Sequence, residues 1–139
     1  YEGGLPPLTA RKPGYTYLSQ SPGDLGKKMA DAFSLVLENH PKAVLIGSDC
    51  PDLSNAIVNE AFLHLDQKDI ILGPSRDGGY YLIGCKNMYP ALFEGIIWST
   101  PTVLECTLER IKKENLTFSL LEELADIDTA ADWHLYKAK

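Results

Sequence analysis

The sequence predicts an α/β domain with helices on both faces of a mixed, mainly parallel sheet. Three observations carry that expectation. Segments of helical period alternate with short, continuous apolar runs. Those runs, Ala43-Val44-Leu45-Ile46 and Asp69-Ile70-Ile71-Leu72-Gly73, lack polar alternation, as strands covered on both faces do. A length of 139 residues suffices for one compact domain and is too short for two ordinary ones.

Each element has its own signal. Residues 1–15 are rich in Gly and Pro and read as loop, and Tyr15 to Ser19 reads as a short strand. Leu25, Met29, Ala32, Phe33, Val36 and Leu37 form one apolar stripe at helical spacing. Asp24 is placed to cap that helix, and His40-Pro41 ends it. After the 43–46 strand, Ser54 can cap a second helix with a stripe of Ile57, Val58, Ala61, Phe62 and Leu65. The 69–73 strand leads into the polar turn Pro74-Ser75-Arg76-Asp77-Gly78-Gly79. A turn that short favours antiparallel return of Tyr80 to Cys85. Thr100 and Pro101 read as cap and first residue of a third helix, with Val103, Leu104, Thr107, Leu108 and Ile111 inward and Lys112 and Lys113 at its end. Phe118 to Leu121 reads as a short strand, and a last helix is expected near Thr129.

Composition limits the function. Hydrophobic residues make up 45% and charged residues 23%, the balance of a globular protein. The net charge is -6 and no Lys/Arg cluster forms a basic face, which argues against a duplex-DNA binder. No apolar run approaches the roughly 20 residues that a membrane span needs. The segment after Tyr1 has no signal-peptide pattern. Cys50, Cys85 and Cys106 are odd in number and widely spaced, which suits buried thiols in a reducing cytoplasm better than a zinc or disulfide framework.

Four segments carry candidate chemistry. Asp49 and Asp52 follow a buried strand, where open α/β sheets place their ligands, and carboxylates there can hold Mg²⁺ or Mn²⁺. The same Asp-Cys-Pro-Asp stretch is also ordinary turn chemistry. Asp77-Gly78-Gly79-Tyr80 either offers bare backbone and a carboxylate to a ligand or is a plain β-turn. Asp126 and Asp128 precede Thr129 and either add an acidic arm to a metal site or belong to a helix cap. Gly23-Asp24-Leu25-Gly26 is a glycine-flanked helix start, and its Asp favours capping over direct phosphate contact. His40, His64 and His134 form no catalytic pattern, and neither a Walker A loop nor Gly-x-Gly-x-x-Gly is present.

Taken in order, five motifs resemble the DUF2064 family. They are Gln20-x-x-Gly23-Asp24-Leu25-Gly26-x-x-Met29, Leu45 through Leu53, Leu72-Gly73-Pro74-x-x-Asp77 through Gly84, Trp98-Ser99-Thr100-Pro101 and Asp126-Ile127-Asp128-Thr129. That family includes the arsenosugar-biosynthesis glycosyltransferase group. It lies within the nucleotide-diphospho-sugar transferase superfamily, near the molybdopterin-cofactor guanylyltransferases. The resemblance implies the C-terminal part of a GT-A-like three-layer α/β/α sandwich. Lys28 stands where the family often has Arg. The family's N-terminal strand and Lys-Thr-Arg-type phosphate loop have no match in Tyr1 to Tyr17. The expectation is therefore one domain over residues 1–139, incomplete at its N-terminus.

The resemblance also implies activity and site. The intact protein would transfer a group from a nucleotide-sugar or nucleoside triphosphate to a small-molecule acceptor, with Mg²⁺ or Mn²⁺. Asp49 would be catalytic and a metal ligand, Asp128 would supply the second acidic arm, and Asp126 could substitute for it. Asp77 would be catalytic. Gly23, Asp24, Gly78, Gly79, Tyr80, Ser99 and Thr100 would bind substrate. Glycosyl transfer and nucleotidyl transfer both fit, as does a catalytically silent binding or assembly module. A sheet lacking a strand would expose an edge and favour a homo-oligomer.

Overall fold

The computed structural model of the protein describes residues 23–47, 50–125 and 133–137. The strand expected at Tyr15 to Ser19 lies outside these residues. The elements are α1 (Leu25–Leu37), β1 (Ala43–Gly47), α2 (Asn55–His64), β2 (Ile70–Pro74), β3 (Tyr80–Cys85), a single 3-10 turn (Pro90–Leu92), α3 (Val103–Lys113), β4 (Phe118–Leu120) and β5 (Trp133–Lys137). The strands form one sheet in the order β4-β2-β3-β1-β5.

Local chemistry sets the helix starts. The Asp24 carboxylate accepts the Lys27 amide at 2.8 Å and caps α1. Met29, Phe33 and Val36 are the buried part of the expected stripe. Ser54 caps α2 by accepting the Ile57 amide at 3.3 Å. In α3, Val103, Thr107 and Ile111 are buried one turn apart, and Arg110, Lys112 and Lys113 lie at its C-terminal end, where cations suit the helix dipole.

The sheet is mixed, and its two faces carry separate cores. Residues 43–47 and 80–85 are buried throughout, as the continuous apolar runs require. On one face, Leu45, Leu72 and Ile83 pack with Met29 and Phe33 of α1 and with Ile111 of α3. On the other, Val44, Ile46, Ile71 and Leu82 pack with Val58 and Ala61 of α2 and with Leu121 and Leu124. This is the three-layer sandwich the sequence implies.

Three expectations need correction. Strands β1, β2 and β4 share one direction, but only β2–β4 is a parallel pair. The β1–β3, β1–β5 and β2–β3 pairs are antiparallel. Mainly parallel thus describes strand direction and not pairing, because the short 75–79 turn inserts β3 between β2 and β1. The final segment is also different. Residues 133–137 form β5 and not a helix, pairing Ala43 with Lys137 and Gly47 with Trp133. Trp-His-Leu-Tyr is strand-prone by composition, and pairing with β1 satisfies backbone groups that a helix would leave open. Third, α3 begins at Val103, and Thr102, not Thr100, occupies its cap position.

A bulge splits the two tyrosines of β3. Gly73 pairs with Leu82 and Pro74 with Tyr80, so Tyr81 is the extra residue. Tyr80 joins the α1/α3 core and Tyr81 the α2 core. The Tyr81 ring lies over Gly73, where an added Cβ would sit 2.4 Å from the ring. Its hydroxyl donates to the Glu122 carbonyl at 2.8 Å.

Burial raises the Tyr80 hydroxyl and the Cys85 thiol above their ordinary values of 10.0 and 9.0. Both groups stay protonated in the fold while the unfolded chain ionises. Their stabilisation is therefore complete below about pH 9 and is lost as pH rises beyond it, at about 1.4 kcal/mol per pH unit for each group. Urea midpoints between pH 7 and 11 should fall above pH 9, and Tyr80→Phe should flatten the slope above pH 10.

Candidate functional site

The carboxyl ends of β1 and β2 emerge at one edge of the sheet because both run antiparallel to the β3 between them. β4, parallel to β2, ends at the same edge. The segments that follow these strands meet there. Leu121 donates its amide to the Leu72 carbonyl at 2.9 Å and Leu124 to the Pro74 carbonyl at 3.0 Å, while Arg76 donates to the Leu124 carbonyl at 3.1 Å. The Cys50 thiol donates to the Ala125 carbonyl at 3.6 Å, which joins the β1 exit to the same cluster. Three chain segments far apart in sequence thus share the edge where such sheets bind ligands.

The 75–79 turn is organised by its own carboxylate. Asp77 Oδ1 accepts the Ser75 hydroxyl at 2.6 Å and the Gly79 amide at 3.0 Å. The Ser75 amide donates to the Gly79 carbonyl at 3.0 Å and closes the turn. Ser75 is buried, whereas Asp77 itself is exposed. Asp77 is therefore the acceptor that shapes this turn, and it remains open to solvent.

The turn docks on the start of α3. Gly78 has φ 94, and a Cβ there would sit 2.0 Å from the Pro101 carbonyl oxygen. Its own carbonyl accepts the Leu104 amide at 2.9 Å, filling one of the unsatisfied donors of the α3 first turn. This explains why Thr100 is not the cap. Its hydroxyl donates to the Ile97 carbonyl at 2.8 Å and lies 3.1 Å from the Thr102 hydroxyl. Ser99 beside it is exposed with φ 62, a conformation uncommon outside glycine.

The start of α1 reaches the same neighbourhood through Gly26. A Cβ on Gly26 would sit 2.2 Å from the Phe93 carbonyl oxygen and 2.8 Å from Trp98 Nε1. The glycine admits the Trp98 indole against the helix. Gly23, at φ 118, turns the chain into the Asp24 cap. Asp24 therefore serves as a cap, as its residue type favours.

Of the expected site residues, Asp77, Gly78, Gly79, Ser99 and Thr100 come together, and Gly23 and Asp24 lie at the helix start that packs on Trp98. Tyr80 is placed differently. It is 5% exposed, within the core between β3 and α3, so its side chain supports the turn from below instead of facing a ligand. Asp49, Asp126 and Asp128 lie outside the described residues. Among the described residues no three His, Cys, Asp or Glu side chains gather as metal ligands. Sequence reading missed the 121–125 segment as a wall of this edge, and also the packing role of Gly26. Both depend on contacts between residues distant in the chain.

The sequence matches the model of the family described as an uncharacterized protein conserved in bacteria, DUF2064, over residues 3–100. That is more than half of the chain, and the chain belongs to this family. No curated protein matches it. It is similar to the crystal structure of a candidate nucleotide-diphospho-sugar transferase from Desulfovibrio desulfuricans G20, with 34% identity and a TM-score of 0.76. The similarity covers 79% of this chain and 49% of the other, so the chain matches about half of that protein's length. The fold is thus nucleotide-diphospho-sugar transferase-like over the half of that structure which the chain matches. No helix among the described residues is long and apolar enough to cross a membrane.

The two glycines of the turn should respond differently to substitution. Gly78→Ala combines a backbone clash with a positive φ and should cost about 1–3 kcal/mol. At Gly79 an added Cβ would meet nothing nearer than 3.4 Å. Gly79→Ala should therefore cost less than about 0.5 kcal/mol. Thermal denaturation of the two variants checks this.

Proposed function

We propose that the protein is a metal-dependent transferase that uses a nucleotide-diphospho-sugar donor and moves the sugar to a small-molecule acceptor. The similarity to the Desulfovibrio protein supports this reading most directly. The meeting of the 75–79 turn with the 121–125 segment and with Pro101 at the carboxyl edge supports it, because open α/β sheets bind their ligands there. Asp49 and Asp128, with Asp126 as the alternative arm, are the proposed ligands of Mg²⁺ or Mn²⁺. The bound cation would offset the charge of the diphosphate leaving group.

The described residues have distinct parts in this reading. Asp77 holds the turn with one carboxylate oxygen and faces the acceptor with the rest of the group. The Gly78 and Gly79 amides are spent within the turn, on the Ser75 carbonyl and the Asp77 carboxylate, and Gly78 packs on Pro101, so in this reading it is the side-chain-free Gly79 that would let a substrate approach the main chain. Ser99 and Thr100 precede the Pro101 that packs on Gly78, and in this reading their hydroxyls would bind sugar or acceptor hydroxyls.

Two experiments test the reading. The full-length protein, incubated with a panel of nucleotide-diphospho-sugars and Mn²⁺, should release nucleoside diphosphate. Release of pyrophosphate from a nucleoside triphosphate would instead make it a nucleotidyltransferase, and no nucleotide binding by calorimetry would sink both. Asp49→Ala should weaken Mn²⁺-dependent nucleotide binding at least about tenfold, roughly 1.4 kcal/mol.

Asp77 separates structure from chemistry. Asn keeps the acceptor oxygen for Ser75 and Gly79, so Asp77→Asn should change stability by less than about 0.5 kcal/mol, whereas Asp77→Ala should cost about 1–2 kcal/mol. Under the catalytic reading, Asp77→Asn nevertheless loses most turnover. Full turnover with Asn would reduce Asp77 to a turn-former.

A further inference from the structure

The segment from Phe93 to Thr102 links the 3-10 turn to α3 and contains no strand or helix of its own. It includes two left-handed residues, Gly95 at φ 68 and Ser99 at φ 62. Between them, Ile97 is 77% exposed, too exposed for its own burial to fix the backbone. Yet this stretch presents Ser99 and Thr100 beside the 75–79 turn. Its downstream end is held where Pro101 packs on Gly78.

At the upstream end Phe93 and Ile96 are buried in the core, and one polar side chain holds the main chain between and before them. Arg110, near the C-terminal end of α3, reaches back across the layer. Its Nη1 donates to the Ala91 carbonyl at 2.6 Å and to the Glu94 carbonyl, and its Nη2 donates to the Gly95 carbonyl at 3.3 Å. All three acceptors are main-chain oxygens. A planar guanidinium can hold such a set in fixed directions, whereas a lysine ammonium acts as a single charged point. Just downstream, the Trp98 ring wedges between this loop and Gly26 of α1, with Phe93 contributing its carbonyl to the same contact.

We propose that Arg110 is a positioning residue that fixes the Phe93–Thr102 segment as a rigid wall of the site and sets where Ser99 and Thr100 stand. Naming this segment a wall of the site rests on the transferase reading; the anchoring itself does not. The clamp acts through backbone, so Arg110 touches no substrate. Its loss removes the hold on the Ala91, Glu94 and Gly95 carbonyls while the buried Phe93 and Ile96 and the Gly78–Pro101 contact remain, so the freedom gained falls on residues 97–100 between them.

Backbone ¹⁵N relaxation on the full-length protein tests this with Arg110→Ala and Arg110→Lys. Order parameters between Ile97 and Thr102 should fall below about 0.6 in both variants, while those of the β2–β3 hairpin stay near about 0.85. Lysine should not restore the loop, because it keeps the charge but not the fork. A uniform fall across the domain, no change in the loop, or full order with Lys would each overturn the proposal. Should Arg110→Ala fail to fold, the Lys variant carries the measurement. Relaxation reads the loop whether or not a nucleotide binds. Failure to bind nucleotide-diphospho-sugars would therefore count against the transferase reading alone, and unchanged loop order against Arg110 alone.

Discussion

The site depends on a backbone-to-backbone contact between the 75–79 turn and the start of α3. Gly78 lies so close to Pro101 that no side chain fits between them. Its carbonyl accepts an amide that the α3 terminus would otherwise leave unpaired. This contact ties the β2–β3 hairpin to the helix on one face of the sheet. It also sets the direction in which the 97–102 segment approaches the carboxyl edge. Asp77 contributes by closing the turn so that Gly78 points at the helix and not at solvent.

The sheet pattern explains why several remote segments share that edge. β3 runs opposite to β1 and β2, so their exits lie on one side although β3 intervenes. β4 extends the same polarity and delivers 121–125 alongside. The Tyr81 bulge contributes to this convergence. It turns the ring to the α2 face and lets the hydroxyl hold the Glu122 carbonyl, which steers the chain after β4 toward the Ser75 exit.

Local signals were legible in the sequence where the physics is local. The α1 and α2 caps, the hairpin turn and the doubly covered strands follow from single residues and their neighbours. The start of α3 was misread because Thr100 has the right residue type for a cap, yet the donor that needed satisfying is taken by Gly78, some twenty residues upstream. β5 was misread because a threonine after two aspartates signals a helix, whereas the need of β1 for a partner is a tertiary demand that no local window records. At the candidate site, the DGG turn was legible as a ligand loop or a β-turn, and it is built as a turn that follows β2 at the carboxyl edge of the sheet. The anchoring of its neighbours by Gly26 and Arg110 was not legible, because each acts on residues distant in sequence.

The order in which the sheet can assemble follows from its registers. β2 and β3 are joined by a short turn and pair locally, so their contact forms at little loop-closure cost. β1 must wait for β3 across α2 and β2, pairing Ala43 with Cys85. β5 must then cross most of the described chain to pair Lys137 with that same Ala43. Such long-range antiparallel pairing is slow, because chain entropy is lost before contacts reward it. Among the described strands the last to dock is thus the one that covers β1, and until it arrives the growing or refolding chain leaves that side of the apolar β1 unpaired by it.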